Sequence, residues 1–101
     1  MLRALTIPQD RLAALCRRRR IRRLSLFGSV LRGDFGPESD VDVLVEFEPG
    51  RVPGFLRLHE IEQELSALLG GRRIDLVTPR FLNPRVRGRV LAQAEPQYDG
   101  G

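Results

Sequence analysis

Apolar positions along this chain recur with two periods, one helical and one of two residues. Leu12, Leu15 and Cys16 share a helical face behind Pro8, Gln9 and Asp10, residues that suit a helix start, so a helix is expected to about Arg19. Ile21 to Phe27 alternates in part, with Leu24 and Leu26 opposite Ser25 and Phe27, and predicts a short strand that stops at Gly28. Val30, Leu31 and Arg32 fit a single helical turn ended by Gly33, and Gly36 and Pro37 impose a loop. Val41 to Phe47 is the strongest strand of the chain. Val41, Val43 and Val45 face one way, and Asp40, Asp42 and Leu44 face the other.

Pro49, Gly50, Pro53 and Gly54 make the next loop. Leu58, Ile61, Leu65 and Leu68 then mark an amphipathic helix from Phe55 to Leu69, stopped by Gly70 and Gly71. A strand follows over Arg72 to Val77, with Ile74 and Leu76 on one face and Arg73, Asp75 and Val77 on the other. Asp75, in the middle of a short apolar strand, is expected to need a positive neighbour if it is buried. Pro84, Val86, Val90 and Leu91 predict a last helix to about Ala94, and the trailing EPQYDGG is expected to fray. The order α, β, short α, β, α, β, α implies one small α/β (α+β) domain over residues 1–101, with about three or more strands and helices packed against the sheet.

Composition narrows the chemistry. All 17 basic residues are Arg, and the formal net charge is +4. Without Lys a Walker A phosphate loop is excluded, because that loop uses a Lys to reach the terminal phosphates. A basic balance favours acidic partners such as nucleic acid, nucleotides or an acidic protein face, without choosing among them. The run Arg17 to Arg20 with Arg22 and Arg23 reads as a solvated helix end that complements the helix dipole, and nucleic-acid binding through it is the alternative. One Cys rules out an internal disulfide and leans towards a reducing, cytoplasmic setting; Cys16 itself reads as packing. His59, the lone His, reads as structural. The sequence shows no secretory leader pattern and no run long enough to span a bilayer.

The candidate chemistry lies in FGSVLRGDFGPESDVDVLV, Phe27 to Val45. Two carboxylates on one strand face, roughly 7 Å apart at the backbone, can converge on a common ligand. An EF-hand loop would want an oxygen ligand at Leu44 and a Gly next, and a dehalogenase-type phosphatase would place its first Asp after a buried strand, so both fit poorly. More specific is the combination of Gly28-Ser29, ten intervening residues, Asp40-x-Asp42 and a third carboxylate, Asp75, on a later strand.

With these residues the chain resembles the minimal nucleotidyltransferases of the DNA polymerase beta superfamily, whose hallmark is FGSxARGxxxxxSDxD. Phe27, Gly28, Ser29, Arg32, Gly33, Ser39, Asp40 and Asp42 match it, and Asp75 sits in a corresponding strand, Ile74-Asp75-Leu76-Val77. Leu31 replaces the usual Ala, and Asp34 stands where Glu is frequent. The resemblance covers nearly the whole chain and implies a polymerase beta-like fold with a mixed sheet. It further implies two Mg²⁺ ions held by Asp40, Asp42 and Asp75, and ATP phosphates held by Gly28 and Ser29 with help from Arg32 and Ser39. Small members of the family pair with helical HEPN toxins and move AMP from ATP to a toxin tyrosine. The expected protein is therefore a cytoplasmic adenylyltransferase antitoxin, homo- or hetero-oligomeric, whose acceptor comes from the partner. A non-catalytic partner-binding module and a nucleic-acid-binding protein are the competing readings.

Overall fold

The computed structural model describes residues 7–28, 31, 36 and 39–100. Chain order is α1 (Gln9–Arg18), β1 (Ile21–Phe27), β2 (Val41–Phe47), α2 (Phe55–Leu68), β3 (Ile74–Val77), a 3₁₀ turn (Pro79–Phe81), α3 (Pro84–Gln93) and β4 (Glu95–Asp99). The strands form one mixed sheet in the order β3-β2-β1-β4. β1 pairs antiparallel with β2 and β4, and β2 pairs parallel with β3. The parallel pair has α2 as its crossover, the usual way to return a chain in the same direction.

Period-two patterning decides which face of the sheet is covered. Leu24 and Leu26 of β1 pair with Val45 and Val43 of β2, and Val41 pairs with Ile74 of β3. These side chains are buried with Leu12, Leu15 and Cys16 of α1 and with Ile61, Leu65 and Leu69 at α2. At about 25 cal/mol per Å² of buried apolar surface, this layer of helices on sheet is the main source of stability. On the other face β2 presents Asp42 and Leu44; Leu44 is itself buried. Gly70, at φ +77°, and Gly71, at φ +87°, take the left-handed conformation that ends α2.

Two expectations are corrected. Glu95–Asp99 is not a frayed tail but β4, antiparallel to β1. Leu24 faces Tyr98, which packs against the core, and Arg23 reaches Asp99 Oδ2 at 3.3 Å. Pro96 does not prevent this, because β4 is an edge strand with ladder bonds on one side only. The second correction concerns α3. It forms as expected, with Asn83 Oδ1 accepting from Arg85 N at 2.9 Å, but no residue of it is buried. Val86 and Leu91 remain exposed, and the helix is held to the 3₁₀ turn by Arg87, which donates to the carbonyls of Pro79 and Leu82 at 2.9 and 3.2 Å. Phe55 and Phe81 stack at 6.4 Å between ring centroids while staying largely exposed.

Candidate functional site

β2 lies between β1 and β3, so the residues beside its N-terminal half come from both neighbours. Phe27 pairs with Asp42, and Asp42 pairs with Asp75. The row Phe27, Asp42, Asp75 therefore crosses three strands on the face opposite the helices, with strand spacing of about 4.8 Å. Residues separated by 33 positions in sequence become lateral neighbours. Asp75 is exposed, so the expected need for a positive partner to offset burial does not arise.

Gly28 closes the row. Its φ is +77°, and a methyl group built on it would run into Asp42 Oδ2 and lie 3.0 Å from Cγ. Any side chain here would be strained by the backbone and would displace the carboxylate. The Gly is thus required by two independent features. Leu31 N donates to Gly28 O at 3.0 Å, and the Leu31 side chain packs against the core. Ser29 and Arg32, the other members of the expected phosphate-binding group, lie outside the described residues.

Asp40 precedes β2, and its Oδ1 is 3.6 Å from Arg73 Nε. With the Arg73 side chain 84% exposed, this is a weak, solvent-screened attraction. Ser39 is tied to Gly36: its Oγ accepts from Gly36 N at 2.9 Å and its N donates to Gly36 O at 3.1 Å. Arg72 Nη1 donates to the same Gly36 carbonyl at 3.0 Å. Arg72 and Arg73 were not singled out in the sequence. Their signal was a basic pair immediately before the strand that bears Asp75.

Among the described residues no group of three or more His, Cys, Asp or Glu side chains is close enough to hold a metal ion by itself. The donor chemistry nevertheless suits Mg²⁺, which takes oxygen ligands and is commonly bound by one or two carboxylates completed by water and substrate phosphates. Adjacent Asp42, half-buried, and Asp75, exposed, offer such a pair.

The remaining candidates lie away from this row. Half of the basic run is consumed within the fold: Arg18 Nη2 meets Glu64 Oε2 at 2.6 Å, Arg19 Nε meets Glu64 Oε1 at 2.7 Å, and Arg23 lies 3.7 Å from Glu46. The hydrogen bond to Glu64 raises the Arg19 pKa above its ordinary value. His59 is an exposed residue 3.6 Å from Glu62. Burial of Cys16 pushes its thiol up to about 12, which removes the thiolate needed for nucleophilic chemistry near neutral pH. No helix among the described residues is long and apolar enough to cross a membrane.

Comparison with known proteins shows the family. A family model described as a nucleotidyltransferase domain matches residues 11–94. The chain is 41% identical over 73 residues to the protein adenylyltransferase MntA of Thermococcus cleftensis, covering 72% of this chain and 71% of that one. It is 36% identical over 72 residues to a candidate protein adenylyltransferase of Methanocaldococcus jannaschii, covering 70% and 71% respectively. Among solved structures, a candidate minimal nucleotidyltransferase is 41% identical and superposes with a TM-score of 0.72 over 87% of each chain. A toxin-antitoxin complex with AMP-PNP superposes with a TM-score of 0.72 over 92% of this chain and 74% of the other, at 21% identity, which shows a shared fold.

Proposed function

This chain belongs to the nucleotidyltransferase domain family and is a nucleotidyltransferase, and from that premise we propose that it is an Mg²⁺-dependent protein adenylyltransferase whose acceptor is a tyrosine of a HEPN-type toxin. In this reading it acts in the cytoplasm as the antitoxin of that partner. The observation that carries the proposal is the lateral pairing of Asp42 with Asp75, with Gly28 packed against the Asp42 carboxylate. The adenylyltransferase names of relatives at 41% and 36% identity support the choice of reaction, and a fold neighbour solved with AMP-PNP supports the choice of nucleotide.

The reaction transfers AMP from ATP. The tyrosine oxygen forms a bond to the α-phosphorus, the bond from that phosphorus to the β-phosphate bridging oxygen breaks, and pyrophosphate leaves with the electron pair. Two Mg²⁺ ions, when bound, would stabilise the charge on the attacking and leaving oxygens. Asp40, Asp42 and Asp75 would hold those ions, and Asp75, on the open edge of the row, would also accept the tyrosine proton. Gly28 lets the backbone approach the β- and γ-phosphates, Ser29 and Arg32 donate to them, and Ser39 braces the segment that ends at Asp40.

The test is the intact mass of a HEPN partner after incubation with this protein, ATP and Mg²⁺. A gain of one or more AMP units, absent with Asp42→Asn, is expected. A partner that is neutralised without any gain in mass would instead identify a non-catalytic binder. The nucleic-acid alternative has less to draw on, because Arg18, Arg19 and Arg23 already face acids of their own chain.

A further inference from the structure

We propose that Arg72 is a positioning residue for the nucleotide site, fixing Asp40 relative to the Asp42–Asp75 pair; the proposal rests on the reading of this face as the nucleotidyl-transfer site. Asp42 and Asp75 need no such help, because the ladder sets their register. Asp40 lies before the first registered pair, Val41 with Ile74, so its place depends on the segment that leads into β2.

That segment is tied down by a chain of bonds running through Arg72. Ser66 Oγ, near the end of α2, donates to Arg72 O at 2.6 Å and holds the Arg72 backbone to the helix. The Arg72 guanidinium reaches the other way, donating through Nη1 to Gly36 O at 3.0 Å. Gly36 and Ser39 exchange two further bonds, Gly36 N to Ser39 Oγ at 2.9 Å and Ser39 N to Gly36 O at 3.1 Å. Beyond Asp40, Val41 N donates to Arg73 O at 2.8 Å. Asp40 is therefore bracketed by bonds that converge on residues 72 and 73, three and two positions before Asp75.

Such a brace would serve the chemistry. Carboxylates that converge on a shared cation repel one another in its absence, and without a brace the segment leading into β2 would be free to carry Asp40 away from the pair. A charged donor on a carbonyl resists that movement more strongly than a neutral one, since charge-assisted hydrogen bonds are about twice as strong. Arg72 also lines a polar groove with Ser39, Ser66 and Arg73, so the brace is exposed to solvent on one side and can be replaced without opening the core.

The test is calorimetric binding of AMP-PNP, with and without Mg²⁺, to the wild-type protein and to Arg72→Ala, Ser39→Ala, the double variant and Arg72→Lys, with thermal melts alongside. Positioning predicts that Arg72→Ala and Ser39→Ala each weaken Mg²⁺-dependent binding by roughly 5- to 10-fold and that the double variant loses no more than about the larger single loss, because both break one brace. Metal-free binding should be unchanged, and Arg72→Lys should keep most of the affinity. Losses that multiply, a loss equal in the absence of Mg²⁺, which would mean direct contact with phosphate, or no loss at Arg72→Ala would each overturn the proposal. If the wild-type protein itself does not bind AMP-PNP with Mg²⁺, the nucleotide-site reading falls instead.

Discussion

The two faces of this sheet are written on the same strands and follow opposite rules. On the helix-covered face, Val41, Val43 and Val45 meet Leu24, Leu26 and Ile74 and are at most 1% exposed, so each side chain is surrounded by others of its kind. On the opposite face, where Leu44 is buried as well, Asp42 and Asp75 are direct register neighbours although like charges repel, and a Gly in a left-handed conformation presses against one of them. The first face obeys packing rules; the second places like charges side by side against local preference. Violations of this kind, supported by a conventional core, are expected at functional sites.

The division predicts that substitutions sort by face. Asp42→Asn is expected to cut AMP transfer by about 10²–10³-fold, the range seen when a group stabilising transition-state charge is removed, while its melting temperature stays within a few degrees of wild type. Leu65→Ala and Ile61→Ala should do the reverse, losing roughly 2–5 kcal/mol in urea denaturation with activity per folded molecule retained. Gly28→Ala belongs to both faces. The left-handed backbone and the encounter with Asp42 should cost about 1–3 kcal/mol and lower activity as well, and a loss of stability alone would break the comparison.

A smaller effect distinguishes burial from chemistry at Cys16. Its thiol is raised from 9.0 to about 12 in the folded chain, so the folded state keeps a proton that the unfolded chain gives up. The associated stability is fully present below about pH 9 and is lost as pH rises towards about 12. Cys16→Ala should flatten this decline between about pH 8 and about pH 10, a difference on the order of 1 kcal/mol, and AMP transfer by the folded variant should be unchanged.

Much of this architecture was legible in the sequence because its signals are local. Val41 to Phe47 announced itself by β-branching, α2 by the spacing of Ile61 and Leu65, and the carboxylates by their period of two. The final strand was not legible: EPQYD shows no apolar alternation and one aromatic residue, and it becomes a strand because β1 offers an edge and Tyr98 finds the core. The α3 pattern was misleading in the opposite direction, since a helical period fixes the element but not whether anything covers its apolar side. For the candidate site, Asp40, Asp42 and Asp75 stand out as candidates in the sequence, but not the register that pairs two of them while Asp40 stands near Arg73. Arg72, whose partner lies 36 residues away, carried no local signal beyond its charge.

Asp75 tests the central claim most directly, because only the fold joins it to the Asp40-x-Asp42 strand. Transfer of label from α-phosphate-labelled ATP to a HEPN acceptor should be followed for wild type and Asp75→Asn at equal folded concentrations, with the melting temperature of each recorded. A shared site predicts that labelling falls by about 10²-fold or more at an unchanged melting temperature. Full labelling by Asp75→Asn would contradict it and confine the chemistry to β2.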